Sequence, residues 1–258
     1  MAEIGRRSLT AEGDQQAYKL LARRISPLLS VLHGPFKGLI YPNETAWGST
    51  LIPKLVGSYE KEIHPWIDQI SNLNYDAIID IGAAEGYYAV GLALRFPTAK
   101  IIAFEVEPFA RERLAAMAAL NGVAERIEIR GLCDAQALMD LDLDGRCLIV
   151  CDAEGHEQEI FDAEVVRKLE NHDLIIEFHD FVHFGVSRRL AALFHETHVF
   201  SETVALEDLQ KALHFDYSEL NGLTIAERRR AVAEYRPAGM SWGLFASRRA
   251  IDDHGAVD

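Results

Sequence analysis

The chain has 258 residues, 49% of them hydrophobic, with a formal net charge of −14. That length buries a sizeable core within one domain with extensions, and so acidic a surface repels phosphate backbones, which argues against bare nucleic acid as a partner. No apolar run approaches the about eighteen residues of a membrane span, and the opening MAEIGRRSLTAEGDQQ lacks the apolar stretch of a signal peptide, so a cytoplasmic protein with no membrane partner is expected.

Residues 14–32, DQQAYKLLARRISPLLSVL, read as a helix bent or ended near Pro27. Gly and Pro then recur at close intervals over residues 33–57, the pattern of an irregular, partly buried arm. In SYEKEIHPWIDQISNL, Tyr59, Ile63, Trp66, Ile67 and Ile70 fall on one helical stripe, with Ser58 as the expected cap and Pro65 as a possible kink. From residue 75 short apolar runs alternate with helical stretches: AIIDIG, KIIAFE, RIEIRG, CLIVCD and LIIEFH. The helix after the second run starts at Pro108 and stops at Asn121-Gly122. Five such units imply a parallel sheet with right-handed crossovers, a doubly wound α/β domain. Cys147 and Cys151 face the same way on one run and, with Cys133, read as core residues and not as a disulfide or zinc framework. HVFSETVAL and MSWGLFASR follow as two more runs, separated by a mainly helical insertion over 205–240 in which Thr224 and Glu227 have capping-box spacing. The short basic runs Arg228-Arg229-Arg230 and Arg248-Arg249 read as solvated faces. The expected organisation is an arm and cap over 1–72, a domain over 73–250 and a disordered tail over 251–258.

The stretch DIGAAEGYY is a strand, a turn and the start of a helix, and in open α/β sheets ligands sit beyond the carboxyl ends of the strands. A dinucleotide fingerprint would need G-x-G-x-x-G, whereas Gly82 and Gly86 are separated by Ala83, Ala84 and Glu85, and Glu85 would set an anion beside two phosphates. Glu105, ending KIIAFE, can accept hydrogen bonds from both hydroxyls of a ribose. Ribose without pyrophosphate describes S-adenosylmethionine. Asp80 and Glu85 would lie near its cationic methionine end, the backbone of Gly82, Ala83 and Gly86 would approach it, and Val106 would lie against the adenine. A plainer reading makes the glycines only a tight connection, Glu85 and Asp134 solvated, and Tyr87 and Tyr88 packing residues.

DIGAAEGYY, AFEVEP, CDAEGHEQEIF and LIIEFH together resemble the FkbM-type branch of the class I S-adenosylmethionine-dependent methyltransferases, over roughly residues 73–182. The D-x-E-G-x-E element at Asp152, Glu154, Gly155 and Glu157 narrows the resemblance most. It implies a Rossmann-like, seven-stranded, doubly wound sheet of the class I methyltransferase type. It also implies a cofactor site including Asp80, Gly82, Gly86 and Glu105, with Asp134 a candidate for the adenine amine, and O-methylation of a sugar or secondary metabolite.

Methyl transfer from a sulfonium chiefly requires alignment and exclusion of water, but an aliphatic hydroxyl needs a base or a metal to take its proton. Asp152, Glu154, His156 and Glu157 follow the fourth run; Glu177, His179 and Asp180 end the fifth. His179 is the first choice for a base, with Asp152 orienting it or the acceptor and Glu177 beside them. Asp152 with Glu177, His179 or Asp180 could instead hold a divalent ion such as magnesium. Glu157 reads as a helix cap. His183, His195 and His198 lack zinc-like spacing. Tyr41, Trp47 and Tyr59 could line an acceptor pocket or simply pack. The expected function is O-methylation of a hydroxyl on a small molecule, sugar or glycan precursor. The alternatives are a protein or amine methyltransferase, a non-catalytic sensor or scaffold that binds the same cofactor, and more remotely a dehydrogenase. The oligomeric state is open.

Overall fold

The computed structural model describes residues 12–249, so the tail over 251–258 lies outside the described residues. Helix α1 (Glu12–Ile25) stops just before Pro27, as expected of a ring that cannot continue the ladder. Residues 26–50 then run without a helix, but their backbone is paired: Val31 donates to Leu39 and Tyr41 to Leu29. Leu29, Leu39 and Tyr41 are buried, so the arm is part of the core. Helix α2 (Leu51–Val56) is buried at every residue. The expected Ser58 cap is absent: Glu60 takes a left-handed conformation at φ 48° and a short 3-10 turn over Lys61–Ile63 leads into α3 (His64–Ile70). Pro65 does not kink this helix, because it sits in its first turn, where no donor is needed.

The sheet consists of β1 (Ala77–Ile81), β2 (Lys100–Phe104), β3 (Ile127–Arg130), β4 (Cys147–Cys151), β5 (Asp173–Phe178), β6 (His198–Val204) and β7 (Ser241–Ser247). The spatial order is β3-β2-β1-β4-β5-β7-β6. Strands β1 to β5 are parallel, and β7 runs antiparallel to both β5 and β6. This is the Rossmann-like, seven-stranded, doubly wound fold that the sequence leads one to expect. Strand β1 lies where the order reverses, the position at which such sheets open a crevice.

Helices α4 (Tyr87–Arg95) and α5 (Pro108–Leu120) follow β1 and β2. Helix α6 (Ala135–Met139) precedes β4, and α7 (Glu157–Ile160) and α8 (Ala163–Lys168) precede β5. Helix α9 (Val186–Phe194) precedes β6, and α10 (Asp208–His214) and α11 (Ile225–Val232) form the insertion before β7. The arm, α2, α3, α4, α5 and α11 share one core with Ile78, Ile101, Leu148 and Ile175. On the opposite face α6, α8 and α9 pack on Ile79, Ile102, Ile149 and Ile176, with Cys133, Cys147 and Cys151 among them. The insertion is capped at Thr224 by Glu227 as the spacing predicts. Arg229 and Arg230 are exposed as expected, whereas Arg228 is half-buried: it donates to the carbonyls of Ala212, Phe215 and Leu220 and ties α11 to α10. No helix among the described residues is long and apolar enough to cross a membrane.

Candidate active site

Because side chains alternate along a strand, the residues two beyond Ile78, Ala103, Val150 and Ile175 face the arm at the carboxyl edge of the sheet. They are Asp80 and Glu177, within β1 and β5, and Glu105 and Asp152, each one residue past the end of β2 and β4, four acids at the edge of four adjacent strands. The turn after β1 is pressed onto β4. Gly82 has φ 85°, and a Cβ there would lie 1.8 Å from the carbonyl oxygen of Asp152. Gly86 has φ 102° and meets Leu114, so both glycines answer to protein atoms, as a tight connection requires. Ala83 is buried, and its N–H and that of Gly82 both donate to Phe104 at 2.9 Å.

Glu105 closes this turn from β2. Its carboxylate accepts the Ala84 N–H and the Glu107 N–H, each at 2.8 Å. A carboxylate offers about four lone-pair positions, so capacity for two further donors remains. Val106 beside it is exposed. Asp134 is exposed too, and its Oδ1 caps α6 by accepting the Ala137 N–H at 2.8 Å.

Asp80 is buried, and its Oδ2 has no hydrogen-bond partner among the described residues. Burial, reinforced by the negative charge of Asp152, pushes its pKa up to about 8. Glu85 is buried, not solvated. Its Oε1 accepts the ammonium of Lys54 at 2.7 Å and the hydroxyl of Tyr41 at 3.2 Å, while Oε2 has no partner among the described residues. Tyr41 and Tyr59 are buried in the arm-side core, Tyr41 reaching Glu85 and Tyr59 a basic side chain. Trp47 lies under Arg113.

At β4 and β5 the imidazole of His179 is the centre. Its Nδ1 lies 2.6 Å from Glu157 Oε1, and Nε2 lies 3.7 Å from each of Asp152 Oδ1, Glu154 Oε2 and Glu177 Oε2. Burial opposes a charge on His179, but the hydrogen bond and attraction of Glu157 outweigh it and raise the pKa above its ordinary value. Burial likewise opposes the charge on Glu157, yet the His179 bond and the Gly155 N–H hold its pKa low. Glu157 is therefore not the expected helix cap, since His156 holds that position without a side-chain bond; the Glu157 carboxylate accepts the Gly155 N–H and fixes the ring. His156 and Asp180 stay in loop hydrogen bonds. His198 binds the carbonyl of His172 within the core.

Glu177 is buried and ion-paired to Arg236, which also pairs with Glu60 and lies 3.1 Å from Glu234. Lys211 of α10 pairs with Glu234 at 2.6 Å, and the hydroxyl of Tyr88 donates to Glu60. Burial, with Asp152 next, raises the pKa of Glu177 well above the usual carboxylate range. Asp152, Glu177 and His179 each offer a ligand atom within 4.8 Å of the others and could hold a divalent ion. The guanidinium of Arg236 already supplies a positive charge to Glu177 at that point.

Sequence reasoning missed Lys54 and Arg236. Lys54 leaves one trace, a single charge inside the apolar run LIPKLV. Arg236 leaves none, since its partners are far away in the chain. A cleft of about 520 Å³ lined by Thr98, Lys100, Glu125 and Glu128 lies at the opposite, amino-terminal ends of β2 and β3 and contains none of these groups.

No protein-family model matches the chain, and no curated protein is significantly similar to it. Among solved structures it is similar to a precorrin-6Y C5,15-methyltransferase from Geobacter metallireducens, at 14% identity and a TM-score of 0.47 over 70% of this chain and 87% of that one. It is also similar to a precorrin-8W decarboxylase from Methanobacterium thermoautotrophicum, at 12% identity and a TM-score of 0.47 over 72% and 89% of the two chains. Likeness at this level concerns the trace of the sheet and carries nothing about reaction or acceptor.

Proposed function

We propose that this chain is an S-adenosylmethionine-dependent methyltransferase of the FkbM type that methylates a hydroxyl on a small molecule, sugar or glycan precursor. The observation that carries the reading is His179: an imidazole fixed by Glu157 at 2.6 Å, with its other nitrogen turned to Asp152, at the carboxyl edge beside the turn after β1. The residues of that turn fit the cofactor. Asp80 and Glu85 each present a buried carboxylate oxygen without a partner among the described residues, Glu105 has lone pairs to spare for a ribose, and Glu85 in the turn would repel a pyrophosphate. When bound, S-adenosylmethionine supplies an electrophilic methyl group.

The protein must remove a proton from the acceptor and hold the acceptor in line. Glu157, kept ionised, only accepts, so Nδ1 of His179 carries a hydrogen, and in the neutral ring, which the raised pKa shifts to higher pH, Nε2 has the lone pair. That lone pair takes the hydroxyl proton, and Glu157 at Nδ1, with Asp152 beside Nε2, stabilises the imidazolium that results. A divalent ion on Asp152, Glu177 and His179 is the competing means of activating the hydroxyl.

The test is an acceptor panel scored by release of S-adenosylhomocysteine, with and without EDTA or magnesium. His179→Gln is expected to lower turnover by about 10²- to 10⁴-fold while S-adenosylhomocysteine binding persists. Wild-type turnover in this variant would remove the base assignment, and loss of all turnover in EDTA would favour the metal. Cofactor binding without turnover on any acceptor would point to a sensor or scaffold.

A further inference from the structure

Resting on the methyl-donor reading above, we propose that Lys54 binds the α-carboxylate at the amino-acid end of the cofactor, so that the amino-terminal arm completes the cofactor site. Lys54 stands in α2, a helix buried on every side, and its side chain is 3% exposed. A lysine is rarely so buried unless it is paired, because an ammonium withdrawn from water loses its hydration and must recover it from protein partners. Nζ donates to Glu85 Oε1 at 2.7 Å and lies 4.7 Å and 4.9 Å from the ring centroids of Tyr59 and Tyr87.

Among the described residues the pair is not closed. Oε2 of Glu85 and Oδ2 of Asp80 are both buried and both lack a hydrogen bond. A buried ion pair stabilises a fold only when its remaining lone pairs and protons are also satisfied. The one ammonium balances one of the two acids, so Asp80, which burial beside Asp152 keeps protonated, has no cation of its own, although the charge of Lys54 reaches it as well as Glu85. The cluster therefore lacks donors for two carboxylate oxygens, while the ammonium has hydrogens beyond the one given to Glu85.

One chemical group meets both needs at once: an ammonium and a carboxylate on the same carbon. The ammonium has three hydrogens for Asp80 and Glu85, and the carboxylate accepts from Lys54. A simple amine would satisfy the acids and add nothing for Lys54; a simple carboxylate would be repelled by the acids. A narrow recess lined by Tyr41, Thr45, Arg113 and Met117 adjoins Glu85 from the arm side. Arg113 on its wall is engaged by Thr45 and the Trp47 ring, which leaves Lys54 as the cation at the acids.

The test is calorimetric titration of the full chain and of Lys54→Met with three ligands. S-adenosylhomocysteine carries the whole amino-acid end, its decarboxylated analogue keeps only the amine, and 5′-methylthioadenosine has neither. Lys54→Met should weaken S-adenosylhomocysteine by about 10- to 100-fold, the range of a charge-assisted hydrogen bond, and leave the other two within about threefold, much less than one such bond. Equal weakening of all three ligands would make Lys54 a structural residue and overturn the proposal, as would equal weakening of S-adenosylhomocysteine and the decarboxylated analogue. If Lys54→Met does not fold, Lys54→Met with Glu85→Gln removes both charges and is read by the same ratio of carboxylate-bearing to decarboxylated ligand. Failure of the wild type to bind any of the three overturns the cofactor reading itself, a result distinct from failure at Lys54.

Discussion

Asp80 shows most directly what burial does to an acid at this site. Its pKa, pushed up from 3.8 to about 8, lies above that of the unfolded chain, so the native state holds a proton that the unfolded state gives up. The contribution is fully present below about pH 4 and is lost as pH rises through about 8, with a slope of about −1.4 kcal/mol per pH unit between. Asp80→Asn, which cannot titrate, should flatten the fall in stability between pH 5 and 7 by that amount in denaturant melts. An unchanged slope would mean that Asp80 is ionised in the fold. Gly82→Ala tests the turn beside it. A Cβ 1.8 Å from a backbone oxygen, at φ 85°, has nowhere to go, and a loss of about 3 kcal/mol or more is expected from the denaturant midpoint. Asp80, Glu105, Asp152 and Glu177 were legible in the sequence because each sits at a fixed parity at the end of an apolar run, and parity decides the face. Lys54 and Arg236 were not, because the carboxylates they meet, Glu85 and Glu177, are 31 and 59 residues away and only the packed arm and insertion bring them together.

Among the elements, the segment after α11 and the 3-10 turn before α3 are joined through Arg236, which holds Glu60 and Glu177 at once. Removing that cation strands buried carboxylates. Arg236→Met is expected to cost about 3–5 kcal/mol in urea melts, and adding Glu177→Gln should recover part of it, since one stranded charge is then gone. A double variant less stable than the single one would contradict this account of the junction. Local chemistry made several elements readable: Pro108 and Asn121-Gly122 bound α5, and Thr224 with Glu227 opens α11. It failed around Ser58 to Pro65, where the apolar stripe suggested one capped helix. The buried Glu60, paired to Arg236 and in a left-handed conformation, breaks that segment into a turn and a shorter helix. Only a tertiary contact could have shown that.

For the whole molecule, the arm and the insertion, far apart in sequence, meet on the same face of the sheet as the four acids. The alternation of runs and helices conveyed the doubly wound sheet and its site edge. It could not convey that the segments outside it would reach the site, since neither has a periodic pattern that names its partner. The central claim is that this edge binds an adenosyl amino acid and not a dinucleotide. The most direct measurement is calorimetric titration of folded, ligand-free protein with S-adenosylhomocysteine, with NADH titrated in parallel. Micromolar binding of S-adenosylhomocysteine and no heat from NADH is the predicted result. Binding of NADH alone, or of neither ligand, would contradict it.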